Sequence, residues 1–166
     1  MKKTLIVIDM QNDFIDGSLG TAEAVKIVPN VRKKIEEYRS NGDEIIFTRD
    51  THGEDYLSTP EGKKLPVVHC VKNTHGWQIA DGLDVPDAIH IDKPSFGYTH
   101  WDKFCFEKIE LAGLCTDICV VSNALILKAL FPNAEISVDS ACCAGVTPET
   151  NNSALATMKM CQIDVV

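Results

Sequence analysis

Gly113-Leu114-Cys115-Thr116-Asp117-Ile118-Cys119-Val120 is the stretch from which the fold can be read outward. The apolar run over residues 109–114 that leads into it predicts a buried strand, and residues 121–130 beyond it predict a helix. Cys119 therefore falls where a strand gives way to a helix. There the positive end of the helix dipole and the free N–H groups of the first turn favour a thiolate, the nucleophilic form of cysteine. A small apolar cysteine packed beneath the turn fits the same position. Which of the two applies depends on what the rest of the chain brings to this point.

The chain has 166 residues, 45% of them apolar, and a formal charge of −8. That length predicts a single domain, residues 1–166, able to bury a substantial core. The acidic balance argues against nucleic acid as a partner, which would need a basic face. No apolar run approaches the roughly 20 residues that cross a bilayer, which argues against a membrane protein. Residues 5–8 are aliphatic but are stopped by Asp9, so they read as a first strand and not as the core of a signal peptide. Seven cysteines without framework spacing predict reduced thiols in a cytoplasmic protein.

After the strand at 5–8 and its terminal Asp9, a helix is predicted to start near Pro29, with Val28, Val31, Ile35 and Tyr38 on one stripe and Asn41-Gly42 at its end. Residues 44–48 form a second predicted strand that delivers Arg49-Asp50-Thr51-His52. From 53 to 75 neither helix nor strand is predicted; this long loop holds Glu61, His69 and His75. A third strand at 88–91 leads to Asp92-Lys93, and a short helix is expected within 99–106. A fifth strand spans 135–138, Thr147-Pro148 opens a helix running to about residue 160, and 163–166 can form a last strand. This alternation predicts an α/β fold, a parallel sheet with right-handed crossovers and helices on both faces. Asp9, Asp50, Lys93 and Cys119 each follow a predicted strand, so they can meet in one crevice at the carboxyl edge of the sheet.

Asp9-Met10-Gln11-Asn12-Asp13-Phe14, the Lys93 segment and the Gly113-to-Val120 stretch together resemble the isochorismatase-like cysteine hydrolases, in the right order and over nearly the whole chain. The resemblance implies a three-layer αβα fold around a six-stranded, mostly parallel sheet. It implies a triad of Asp9, Lys93 and Cys119, an oxyanion hole from the backbone N–H groups of Cys115 and Cys119, and a cis peptide between Leu114 and Cys115. Asp50-Thr51-His52, followed by His69-Cys70-Val71 and Thr74, is similar to the nicotinamidase branch. That similarity implies a divalent metal (Zn, Mn or Fe) on Asp50, His52 and His69. The branch's additional loop histidine has no counterpart in residues 53–58, and Glu61 is the candidate to replace it. The implied reaction is hydrolysis of a small linear amide, nicotinamide to nicotinate and ammonia, in a cytoplasmic homo-oligomer.

The residue types suit that chemistry: a carboxylate to take the thiol proton, an ammonium to steady both, and three N/O ligands that leave metal positions open. Taken alone, Asp-x-His is equally a loop carboxylate bonded to one histidine. Phe14, Phe96 and Trp101 are candidate pocket walls and equally candidate core residues. His90 is expected to be structural, His75 and His100 to lie at the surface, and Cys70, Cys105, Cys142, Cys143 and Cys161 to be buried thiols. Two other readings stay open: a related hydrolase acting on another amide, carbamoyl compound or vinyl ether, and a binding or thiol-redox protein on the same scaffold.

Overall fold

The computed structural model describes residues 3–166. Six strands form one sheet: β1 (Lys3–Ile8), β2 (Glu44–Asp50), β3 (Ile89–Lys93), β4 (Lys108–Leu114), β5 (Glu135–Ala144) and the short β6 (Asp164–Val165). Their order is β3-β2-β1-β4-β5-β6, and every neighbouring pair is parallel. The chain therefore builds outward from β1 to β3, returns to the far side of β1 with β4, and builds outward again. The reversal between β1 and β4 leaves a crevice beyond their carboxyl ends, where open α/β sheets bind ligands.

Alternation along the strands sends side chains into two cores. Leu5 and Val7 of β1, Phe47 of β2 and Ala112 of β4 pack under a long helix, together with Ile79 and Leu83. Ile6, Ile8, Leu111 and Val138 pack on the other face against α4 (Val121–Leu130) and α5 (Pro148–Met160). The three layers match the αβα expectation. Among the described residues no helix is long and apolar enough to cross a membrane.

The long helix begins earlier than the proline suggests. The first helical turn of the chain is the short α1 (Asn12–Ile15), and α2 runs over Ala22–Asn41 with the Thr21 hydroxyl accepting from the Ala24 N–H at 3.0 Å. The hydroxyl cap sets the start, and Pro29 sits inside the helix on its exposed side, where water can serve the carbonyl it leaves unpaired. The buried stripe is Ala24, Ile27, Val31, Ile35 and Tyr38, with Ile27 buried in place of the expected Val28. Residues 53–75 also carry more structure than expected: a 3₁₀ turn at Tyr56–Ser58, then a one-turn helix, α3 (Pro60–Lys64), capped by Thr59. The helix expected within 99–106 is only a 3₁₀ turn, Trp101–Lys103. β5 continues to Ala144 because its register with β4 jumps from Leu111↔Val138 to Gly113↔Cys143, so surplus residues bulge out between two paired segments.

Two features at the switch point need particular backbone. Gly113 has φ +125°, and a Cβ there would run into the carbonyl oxygen of Ile8, its partner on β1. The Leu114–Cys115 peptide is cis, as the resemblance implied.

Candidate active site

Asp9 leaves β1 with φ +47°, a left-handed conformation that costs a residue with a side chain about 1–3 kcal/mol. Thr48 of β2 holds it: the Asp9 N–H donates to the Thr48 carbonyl at 3.2 Å, and the Thr48 hydroxyl donates to Asp9 Oδ1 at 2.7 Å. Lys93, the last residue of β3, reaches over β2 to place Nζ 2.6 Å from Asp9 Oδ2 and 3.5 Å from Cys119 Sγ. Nζ also donates to the Ser95 carbonyl at 3.2 Å. All three residues are buried, with Asp9 and Lys93 fully enclosed. A carboxylate, an ammonium and a thiol from three separate segments thus stand in contact at the β1/β4 crevice.

Burial raises the Asp9 pKa above the usual carboxylate range, and the opposing pull of Lys93 does not cancel it. For Lys93, burial works against the charge, but Asp9, Cys119 and Asp50 outweigh it and the pKa ends raised. Burial and the nearby Asp9 hold the Cys119 thiol well above its ordinary range, with Lys93 pulling the other way. The expectation of a thiolate favoured by a helix start is corrected here. Cys119 lies in a π-helical turn, Thr116–Val120, closed by Val120 N–H donating to the Cys115 carbonyl at 3.1 Å, not in the first turn of a regular α-helix, and it is enclosed. Burial thus disfavours loss of the thiol proton and raises the basicity of the Asp9 carboxyl group, and the Lys93 ammonium touches both.

A second cluster sits beside the first. Asp50 ends β2, paired in register with Lys93. Its Oδ2 lies 2.8 Å from His52 Nε2 and 3.5 Å from His69 Nε2, and Glu61 Oε1 lies 3.6 Å and 4.0 Å from the same two nitrogens. The four ligand atoms all fall within 4.8 Å of one another. His69 Nδ1 lies 2.7 Å from the Val67 carbonyl, which orients the ring and turns Nε2 inward toward Asp50 and Glu61. Among the described residues Asp50 Oδ1, though buried, has no hydrogen-bond partner, as suits a ligand oxygen. The set of two imidazole nitrogens and two carboxylates therefore fits a divalent ion. Burial would raise the Asp50 pKa, but the bonds from His52 and His69 hold it below the usual carboxylate range. Burial and then Asp50 raise that of Glu61. For His69, burial lowers the pKa but the Asp50 bond and the Val67 carbonyl raise it further.

Both clusters open on one cavity of about 280 Å³. Cys119, Cys115, Asp50, His69 and Glu61 face it, and its walls are Phe14, Leu19, Leu65, Phe96, Ile118 and Val146. Phe14 and Phe96 thus stand where a pocket wall was expected. Trp101 does not: it is fully buried in the core beside α4, its indole N–H donating to Asn123 Oδ1 at 3.0 Å. Cys105 and Cys161 are exposed, not buried, since the 3₁₀ turn and the end of α5 leave them outside the core. All seven cysteines are free. His90 stacks on Phe47 and bonds Asp84, as a structural residue would.

Three further polar residues build the site. Thr48 holds Asp9, and a hydroxyl following Ile45-Ile46-Phe47 was its signal. Gln11, fully buried, accepts from the Asp50 N–H at 2.7 Å and donates to the Asp50 carbonyl at 2.9 Å and the Trp77 carbonyl at 2.8 Å. Trp77 is placed by that bond and by the Arg49 guanidinium 3.9 Å above its ring. The third, Asn123, has no signal beyond being polar in an apolar helix.

Fold and switch-point chemistry define a class, an open parallel-sheet hydrolase. The chain belongs to the isochorismatase family: the isochorismatase domain matches residues 3–166. An isochorismatase family protein of Bacillus subtilis, PncA, is 32% identical over 75% of this chain and 78% of its own. The nicotinamidase of Saccharomyces cerevisiae is 26% identical, with 99% of each chain covered. A crystal structure of the Pyrococcus horikoshii pyrazinamidase in complex with zinc superposes with a TM-score of 0.85 at 29% identity, over 100% of this chain and 99% of that one.

Proposed function

We propose that this protein is a metal-assisted nicotinamidase, converting nicotinamide and water to nicotinate and ammonia. The observation that carries the reading is the contact chain Asp9–Lys93–Cys119 on a cavity with apolar walls. Asp9 takes the proton from Cys119 Sγ as the sulfur attacks the carboxamide carbon. The backbone N–H groups of Cys115 and Cys119 receive the oxygen of the tetrahedral adduct. Asp9 returns the proton to the departing ammonia, leaving an acyl thioester. Water then adds to the thioester with Asp9 again as base, releasing the acid and restoring the thiol. Lys93 keeps its charge throughout and offsets whichever anion, carboxylate or thiolate, is present. A divalent ion (Zn, Mn or Fe) on Asp50, His52, His69 and Glu61 supplies a Lewis-acid anchor when bound. The resemblance and the zinc complex of the similar pyrazinamidase support that reading. Phe14 and Phe96 would enclose a flat ring.

The apolar lining of the cavity favours a neutral substrate. Among the described residues that line it, two are carboxylates, Asp50 and Glu61, and none is lysine or arginine. The free thiols suit the expected cytoplasmic setting.

The test is ammonia release from nicotinamide by the purified, metal-replete protein. Equal yields of ammonia and nicotinate are expected. Chelation should lower the rate several-fold, and Cys119→Ala should lower it by about 10⁴-fold or more. No ammonia from the metal-replete protein, or undiminished release by Cys119→Ala, overturns the proposal.

A further inference from the structure

Asn123 stands one turn beyond Cys119 in α4 and is fully buried. Its amide nitrogen donates to the Cys119 carbonyl at 2.8 Å and to the Phe96 carbonyl at 3.0 Å. Its amide oxygen accepts from the Tyr98 N–H at 2.9 Å and from the Trp101 indole N–H at 3.0 Å. The amide orientation is fixed by partner chemistry, since the indole and Tyr98 N–H can only donate and the two carbonyls can only accept. Both donors and both acceptor sites of one side chain are therefore in use, and three of the four bonds reach outside the helix.

Those three bonds end on the loop that follows Lys93. Lys93 Nζ rests on the Ser95 carbonyl, one residue before Phe96, and on Cys119 Sγ. A closed circuit runs from Cys119 through Asn123 to Phe96, back along the chain to Lys93, and across to the sulfur. The π turn bearing Cys119 is an irregular form of helix, and the Asn123 bond meets it at its junction with α4. We infer that Asn123 is a positioning residue: it ties the nucleophile's turn to the loop after β3, so that the thiol and the ammonium stay in register. Trp101 belongs to the same device as the buried anchor of the loop. The inference rests on the reading of Cys119 as nucleophile.

Asn123→Asp keeps acceptor oxygens for Tyr98 and Trp101 and removes the amide donors to Cys119 and Phe96. Trp101→Phe keeps a ring in place and removes one of the four bonds. For Asn123→Asp, kcat for nicotinamide should fall at least about tenfold while KM stays within about threefold, because geometry and not substrate binding is lost. Alkylation of Cys119 by iodoacetamide, read on the Cys119 peptide at fixed pH without substrate, should slow about threefold or more as Lys93 loosens from the sulfur. Trp101→Phe should move both readings the same way by a smaller factor, about two- to fivefold. A purely structural residue would lower the unfolding temperature and leave kcat and alkylation of the folded enzyme at wild-type values; that result in Asn123→Asp overturns the inference. If Asn123→Asp does not fold, Trp101→Phe decides on the same two readings. If the wild-type protein releases no ammonia from nicotinamide, the amidase reading fails, while the alkylation series still decides the role of Asn123.

Discussion

Among the described residues two lysine–aspartate pairs close at 2.6 Å, Lys93 with Asp9 at the carboxyl edge of the sheet and Lys34 with Asp139 beneath α2. Each lysine has further partners, Cys119 Sγ and the Ser95 carbonyl for Lys93 and Glu110 Oε1 at 2.9 Å for Lys34. Their carboxyl groups nonetheless shift in opposite directions: Asp9 rises above the usual range and Asp139 falls below it. In both, burial favours the neutral acid. At Asp9 and Lys93 the side chains are 0% exposed and burial prevails; at Lys34 and Asp139 they keep 17% and 14% exposure and the lysine prevails. The same ion pair thus becomes a proton acceptor in one setting and a fixed counterion in the other. Distance does not separate the two sites; access to water, with the added negative charge of Asp50 near Asp9, does.

Breaking the enclosed pair should have the largest effect, on two quantities together. Lys93→Met leaves the Asp9 carboxylate buried without its cation, and folding stability should fall by about 3–5 kcal/mol, measured by denaturant unfolding. Ammonia release should fall by about 10²–10³-fold in the remaining folded enzyme, because the charge that offsets the thiolate is gone. Loss of stability with full turnover would make this pair merely structural, and the contrast with Lys34 would collapse.

The partly open pair should behave differently. Lys34 ties α2 to β4 and β5, with the Tyr38 hydroxyl donating to Glu110 Oε2 at 2.6 Å in the same network. Lys34→Met should cost about 1–3 kcal/mol of stability, as partly buried acceptors lose a charged donor. Turnover should stay within about twofold of wild type, since nothing in this network touches the cavity. A large loss of turnover here would mean that the two clusters are coupled through β4.

The enclosed pair was legible in the sequence and the open one was not, for a physical reason. Asp9, Asp50, Lys93 and Cys119 each interrupt or follow an aliphatic run, and in a parallel sheet every strand end points to one edge, so pattern alone brings them together. Lys34, Glu110 and Asp139 meet through the facing of a helix on a sheet, and no period in the sequence encodes which helical turn lies over which strand residue. The same limit hid Thr48, Gln11 and Asn123, whose bonds cross between elements. It also misplaced Trp101, since an aromatic side chain between a functional loop and a helix packs as readily inward as toward a cavity. At the start of α2 two local signals competed, and Thr21 set the start while Pro29 did not.

The smallest effect, and the most direct measure of the opposite shifts, lies in acid. Burial alone would raise the Asp139 pKa, but the bond and charge of Lys34 bring it below the ordinary 3.8. A group with a lowered folded pKa stabilises fully above its unfolded value and loses that contribution as pH falls through its folded value. The stability difference between wild type and Asp139→Asn should therefore be level above about pH 5 and shrink below about pH 4, as both states of the wild-type side chain become protonated. Asp9 carries the reverse sign: its folded pKa is raised, so acid relieves the burial of its charge and cannot supply this loss. Unfolding temperatures of the two proteins from neutral pH into the acid range give the comparison. A difference that persists undiminished in acid would show that Asp139 acts through packing and its bond to the Ala141 N–H, not through its charge.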